Sequence, residues 1–156
     1  MNGLLVVLAI VVVAVVVGLL LRRREGAVRA TAPSPDGTPS PLAAIPEIDA
    51  RPAGSPVVLH FSADWCGPCA AVRRVVARVT EELAETAAPP LDVELDIDEH
   101  PALAAEFGVL SLPTTFVLDG DLHERFRIAG VPVAAALRES VAPLTGGAGS
   151  APRENG

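Results

Sequence analysis

Residues 57–69 read Val-Val-Leu-His-Phe-Ser-Ala-Asp-Trp-Cys-Gly-Pro-Cys. The first five are mostly apolar and β-branched, which is typical of a short strand buried on both faces. From the cysteines to about residue 87, apolar residues recur at helical spacing, with most charged residues at the other positions. The stretch therefore predicts a buried strand followed by a helix over residues 66–87, with Cys66 in its first turn.

Two cysteines at the start of a helix favour redox chemistry. The unpaired N–H groups and the dipole of a helix N-terminus stabilise negative charge. The thiol of Cys66 should therefore ionise readily, and a thiolate is the nucleophilic form of cysteine. Cys69 lies one turn on, close enough to close a small disulfide ring. Pro68 stiffens the turn without removing a helical hydrogen bond, and Trp65 can shield one side of the pair.

Two other interpretations of the cysteine pair have less support. A structural zinc site needs four ligands, but His60, His100 and His123 fall on separate predicted elements without ligand spacing. Gly-Pro is a poor filler for a buried helix, which argues against two inert core cysteines. We predict neither a metal site nor a cofactor.

The rest of the domain alternates between strand and helix patterns. Glycines 108, 120 and 130 mark the stops and turns. The predicted elements after the first helix are a strand over 91–97, a helix over 101–107, strands over 114–118 and 122–128, and a helix over 132–144. The first half is a βαβ unit and the second half contains a hairpin, so we expect an α/β fold whose mixed central β-sheet is flanked by helices.

The segment Trp65-Cys66-Gly67-Pro68-Cys69 after a strand resembles the active-site motif of the thioredoxin family. The segment 108–114, Gly-Val-Leu-Ser-Leu-Pro-Thr, is similar to the family's cis-proline segment. Two weaker similarities are Asp96-Ile97-Asp98 followed by Pro101, and Gly130 after the hairpin. The resemblance covers residues 56–145.

This resemblance implies a thioredoxin-like fold and a protein-disulfide oxidoreductase. The Cys66 thiolate would attack a substrate disulfide, and Cys69 would resolve the mixed disulfide. Pro113 would be cis and pack against the disulfide, while the backbone of Leu112 would pair with the substrate peptide. The implied partners are protein disulfide substrates and thioredoxin reductase or another thiol electron donor.

Three positions depart from the family's usual pattern. His60 stands where many members carry a buried Asp that helps to move the proton of the second cysteine. A neutral histidine can do that work, or His60 can be a hydrogen-bonded core residue, and the sequence leaves both open. Ser62 replaces a frequent Trp and Glu94 a frequent buried Lys, so the resemblance does not extend to the redox potential.

The charge balance argues against nucleic-acid binding. The chain has a formal net charge of −7, and residues 25–156 hold 9 Arg against 19 acidic residues. A nucleic-acid-binding domain would present a basic face instead. We therefore expect no nucleic-acid partner.

The N-terminal segment predicts a membrane anchor. Residues 3–21 form a run of 19 residues without a charge, long enough to span the hydrocarbon core as a helix. Three arginines follow it directly, which is typical of a stop-transfer signal and unlike the cleavage site of a signal peptide. We interpret residues 22–55 as this basic segment and a Pro-rich linker, with a weak signal for a short docked element over residues 42–50, and residues 146–156 as a disordered tail.

The position of the arginines also predicts a topology. Positive charge is retained on the cytoplasmic side, so the catalytic domain of a single-pass protein should face the cytoplasm. Two alternatives stay open. An outward-facing domain would serve a cell-envelope thiol pathway or cytochrome maturation, and a redox-gated binding module would hold a partner with little turnover.

Overall fold

The computed structural model describes residues 2–24, 26–31 and 41–146. Within these ranges, five strands form a mixed sheet in the order β1-β5-β4-β2-β3. β2 is parallel to β3 and antiparallel to β4, and β5 is antiparallel to both β4 and β1. The strands are β1 (Val28–Ala30), β2 (Val57–Ser62), β3 (Leu91–Asp96), β4 (Thr114–Leu118) and β5 (Glu124–Ala129). The predicted mixed α/β fold is confirmed.

Helices lie on both faces of this sheet. They are α2 (Pro46–Asp49), α3 (Cys69–Glu82), α4 (Pro101–Glu106) and α5 (Ala134–Val141), with α1 (Asn2–Arg24) before the first strand. α3 and α5 cover one face, where Val72, Val76 and Val79 recur at helical spacing and are buried against β2 and α5. This face holds the first of two hydrophobic cores.

The second core lies on the opposite face, under α2 and α4. Phe61, Phe107 and Phe116 pack there with ring centroids 5.2–6.3 Å apart, two of the three pairs edge to face. Such aromatic pairs add to the free energy gained from burial alone. Because β2 and β4 are buried on both faces, the sheet gives the segment after residue 62 a rigid base.

Part of the segment that we predicted as linker belongs to the domain. Within residues 22–55, β1 adds an edge strand to β5, and Leu42 and Ile48 are fully buried in the second core. The boundary predicted at residue 56 is therefore too late. The prolines end regular elements but do not prevent short ones, and α2 has Pro46 in its first turn, where a proline is tolerated. Residues 32–40 lie outside the described residues.

The predicted anchor, residues 3–21, lies within α1. The side chains of α1 that the structure describes are those of residues 6–19, and the large apolar ones among them are 47–62 % exposed. No helix among the described residues is both long enough and apolar enough to cross a membrane. The predicted tail lies outside the described residues except for Gly146.

Candidate functional site

The two cysteines lie where β2 leads into α3, Cys66 in the connecting turn and Cys69 as the first residue of the helix. They are joined by a disulfide with their Cα atoms 5.5 Å apart. The backbone N–H of Cys66 donates to the carbonyl of Ala63, and that of Cys69 donates to the carbonyl of Cys66. Cys66 is half-buried whereas Cys69 is only 1 % exposed. Of the two cysteines, Cys66 is therefore the one that an incoming disulfide can approach.

The start of the helix differs from the prediction. α3 begins at Cys69, with Pro68 as its N-cap, so Cys66 lies in the turn before the helix and not in its first turn. The predicted end at residue 87 is also too late, because tight turns after Glu82 replace the helical hydrogen bonds. Cys66 nevertheless precedes the N-terminus of a 14-residue helix, whose dipole favours the anionic form of a reduced thiol placed there.

The proline segment has the predicted cis bond. The peptide bond between Leu112 and Pro113 is cis, and Pro113 is buried. The carbonyl of Pro113 accepts a hydrogen bond from the N–H of Gly130, at 2.8 Å. Leu112 is half-buried against the second core. Because β4 is antiparallel to β2, its first residue lies at the end of the sheet where β2 leads into the cysteine turn.

Trp65, Gly67 and Pro68 are the exposed part of the motif. The side chain of Trp65 is 70 % exposed, and its Nε1–H donates to the Asp98 carboxylate at 3.1 Å. This bond connects the cysteine turn to the loop after β3. A Cβ placed at Gly67 would have no atom within 4 Å, so the fold itself does not require a glycine here. We expect this glycine to allow close approach of a substrate backbone.

His60 is a buried member of the same end of the sheet. It is 2 % exposed and lies on the α3 side of β2, the side toward which Cys69 is buried. Its Nε2 is 3.1 Å from Oδ1 of Asp92 on β3. This contact is what a hydrogen-bonded core histidine requires. Its role as proton acceptor for Cys69 stays a prediction, which the pH profile of a His60→Gln variant would test.

Comparison with known proteins decides the family. The family model for thioredoxin matches residues 47–142. The chain belongs to the thioredoxin family. A thioredoxin from Streptomyces clavuligerus is 37 % identical over 97 residues, which are 62 % of this chain and 87 % of that protein. The crystal structure of chloroplastic thioredoxin z covers 68 % of this chain and 87 % of its own, with 29 % identity and a TM-score of 0.53.

A further relative is the bifunctional thioredoxin reductase/thioredoxin of Mycobacterium leprae. It is 40 % identical over 90 residues, which are 57 % of this chain and 19 % of that protein. With a disulfide-capable cysteine pair in the family's motif, this thioredoxin-family chain is a thiol–disulfide oxidoreductase.

Sequence reasoning missed two residues of this thioredoxin surface. The sequence gives Asp98 no role beyond a weak similarity to the family, but its carboxylate accepts a hydrogen bond from the indole of Trp65. Leu110 was passed over, although it is 97 % exposed in the loop that leads to the cis-proline. The one available signal was topological, since Asp98 follows β3 at the end of the sheet where β2 also finishes.

A charged network lies beside His60 on the same face. Glu94 on β3 accepts hydrogen bonds from Nε of Arg73 on α3, at 2.7 and 2.9 Å. Burial raises the pKa of the Glu94 carboxyl, but hydrogen bonds from Ser62 and Arg73, with the charges of His60 when protonated and of Arg73, lower it more, so the pKa lies below its usual range. The ionised carboxylate therefore ties α3 to the sheet.

Replacing Glu94 should weaken the fold only where this carboxylate is charged. A group with a lowered folded-state pKa stabilises the protein above its unfolded pKa, near 4.3 for Glu, and loses this contribution as the pH falls through the folded value. We expect Glu94→Gln to reduce the free energy of unfolding by about 1 kcal/mol at pH 7, since the pair is partly solvated. The difference should shrink toward zero at about pH 3.

Urea denaturation at the two pH values measures this difference. Glu85→Gln, an exposed change in the turns between α3 and β3, is the control and should have little effect at either pH. An equal loss for Glu94→Gln at pH 7 and at about pH 3 would contradict the ionic role.

Proposed function

We propose that this thioredoxin-family chain is a membrane-anchored protein-disulfide reductase. The observation that carries the proposal is the unequal exposure of the two cysteines at the β2–α3 junction, with Cys66 half-buried and Cys69 at 1 % exposure. Substrate attack then takes place at one cysteine and resolution at the other.

The proposed reaction proceeds in two exchanges. The Cys66 thiolate attacks one sulfur of a protein disulfide, a mixed disulfide forms, and the other client sulfur leaves as a thiolate that takes up a proton. The Cys69 thiolate, formed by loss of its proton, then attacks Cys66 and releases the second client thiolate, which is protonated in turn. The client gains two electrons and two protons, and the enzyme is left with the Cys66–Cys69 disulfide.

A thiol electron donor must then reduce this disulfide. We propose thioredoxin reductase or a similar donor. The bifunctional relative from Mycobacterium leprae supports this, since its name joins thioredoxin reductase and thioredoxin in one protein. Dithiothreitol can replace the donor in a turbidity assay of insulin reduction. Precipitation of the insulin B chain at a rate that follows enzyme concentration is the expected result, and a rate equal to that of dithiothreitol alone would refute the proposal.

We also propose that residues 3–21, within α1, anchor the protein in a membrane. The support for this anchor is the sequence: a helix over the uncharged run of residues 3–21 would be about 28 Å long, comparable with the apolar core of a bilayer. We expect the full chain to stay with membranes through alkaline carbonate extraction. A chain that lacks residues 1–24 should be released, and release of the full chain would refute the anchor.

We further propose that the catalytic domain faces the cytoplasm. The arginines at positions 22–24 support this, because such charges are retained on the inner side. A membrane-impermeant thiol reagent should label Cys66 only after the cells are opened. Rapid labelling in intact cells would favour the cell-envelope pathway instead.

A further inference from the structure

The direction of β1 places the N-terminal segment at the active-site end of the sheet. β2 finishes at this end, where its last residue leads into the cysteine turn. β4 is antiparallel to β2 and starts here, β5 is antiparallel to β4 and finishes here, and β1 is antiparallel to β5. The first residue of β1, Val28, therefore enters the sheet at the end that carries the cysteines.

The strand register shows how near Val28 is to the active site. Val28 pairs with Ile128, Ile128 pairs with Thr115, and Thr115 pairs with His60. Three strand spacings separate Val28 from His60, which is about 14 Å. His60 precedes Cys66 by six residues along the chain. Val28, where the chain enters the sheet, and the redox centre thus lie at the same end of the sheet.

The junction before β1 is fixed to the active-site loops. The N–H of Gly26 donates to the carbonyl of Ala129 at 2.6 Å, next to Gly130, which itself bonds to the cis-proline Pro113. Gly26 has a φ of +77°, and a Cβ there would clash with the backbone oxygen of Val131. A glycine is therefore required for this close approach of two backbones.

The distance from α1 to this junction is short. One residue separates Arg24, the last residue of α1, from Gly26, so their Cα atoms are at most about 7 Å apart. The Pro-rich residues 32–40 follow β1 and precede α2, and both elements belong to the domain. These residues therefore do not lengthen the connection between α1 and the first strand of the sheet. A free linker over the whole of 25–55 would instead allow about 110 Å when extended.

We propose that this junction holds the redox centre close to the bilayer surface and restricts the clients to disulfides near the membrane. The clients would be cysteine pairs in the juxtamembrane segments of membrane proteins. This inference rests on the proposed function, because it needs both the anchor and the reductase activity. Soluble disulfides would still react, but only those that diffuse to the surface.

The test uses the full chain in lipid vesicles with two lipid-anchored peptide probes that carry the same fluorogenic disulfide. In one probe the disulfide lies next to the lipid, and in the other a 40-residue helical stalk raises it by about 60 Å. We expect the near disulfide to be reduced at least about tenfold faster than the far one, since the junction limits the reach. Equal rates for the two probes would overturn the inference.

Matched insertions separate the junction from the linker. Thirty Gly and Ser residues inserted after Arg24 should raise the rate for the far probe several-fold and so move the far-to-near ratio of the two rates toward one. The same residues inserted between Pro35 and Asp36 lengthen the chain inside the domain and should leave the ratio unchanged. Equal effects of the two insertions would overturn the inference.

A second variant acts without any insertion. Gly26→Val places a side chain against the backbone of Val131 and so disrupts the junction. It should also raise the ratio of the far-probe rate to the near-probe rate. An unchanged ratio would contradict the role of the junction. Reduction of soluble insulin and flotation with vesicles are measured for every variant. Loss of either in the unaltered chain refutes the proposed function, whereas a wrong ratio with both retained refutes this inference alone.

Discussion

Cys66→Ser is expected to abolish disulfide reduction. The rate of insulin reduction should fall by at least about a thousandfold toward that of dithiothreitol alone, as for other catalytic nucleophiles. The physical reason is that the one sulfur accessible to a client disulfide is removed, while Cys69 stays buried at 1 % exposure. The same turbidity assay measures the loss.

A control for this variant lies in α3 itself. Ala70→Ser introduces the same side chain at an exposed position next to Cys69 and should keep most of the activity. Turnover by Cys66→Ser comparable with that of Ala70→Ser would show that the assignment of the nucleophile is wrong.

Cys69→Ser separates an enzyme from a binding module. Without the resolving thiol the mixed disulfide at Cys66 should persist until an external thiol attacks it. Non-reducing electrophoresis of membranes from cells that produce this variant should show many client adducts that disappear on reduction. A single non-covalent partner in fixed ratio would instead favour the redox-gated binding module.

The elements that the sequence predicts well are those whose pattern is local. β4 has the predicted bounds, Thr114–Leu118, and β2 extends one residue beyond the predicted strand, because continuous apolar residues specify burial on both faces. The helix α4 ends before Gly108, which has a φ of +60°, as its glycine predicts. The cis bond before Pro113 followed from the family resemblance and not from periodicity.

The elements that the sequence does not predict depend on distant partners. Val28–Ala30 is three residues long, and its strand character comes from pairing with β5, about 100 residues later along the chain. A segment this short has no readable period of two. The contacts of Asp92 with His60 and of Asp98 with Trp65 likewise join separate elements, so the spacing of residues along the chain does not predict them.

The position of Ile48 shows how such a segment becomes part of the core. It lies in α2, a four-residue helix, and its side chain is fully buried in the second core together with Leu42. Leu42, Ile45 and Ile48 recur every three residues in this Pro-rich stretch, but three positions give only a weak periodic signal. Burial of Ile48 is nevertheless worth as much as that of a residue in a long helix, because the free energy follows the apolar area removed from water.

Ile48→Ala should therefore destabilise the domain by about 2–5 kcal/mol, the range for large-to-small changes in a core. Ile48→Val should cost about 0.5–1.5 kcal/mol, and Glu47→Ala, an exposed change one residue earlier, should stay within about 0.5 kcal/mol. Urea denaturation of the full chain in mild detergent, followed by circular dichroism, measures all three. If residues 41–55 were a linker, the three variants would be equally stable. A graded loss that follows the volume removed at position 48 requires this segment to fold with the domain.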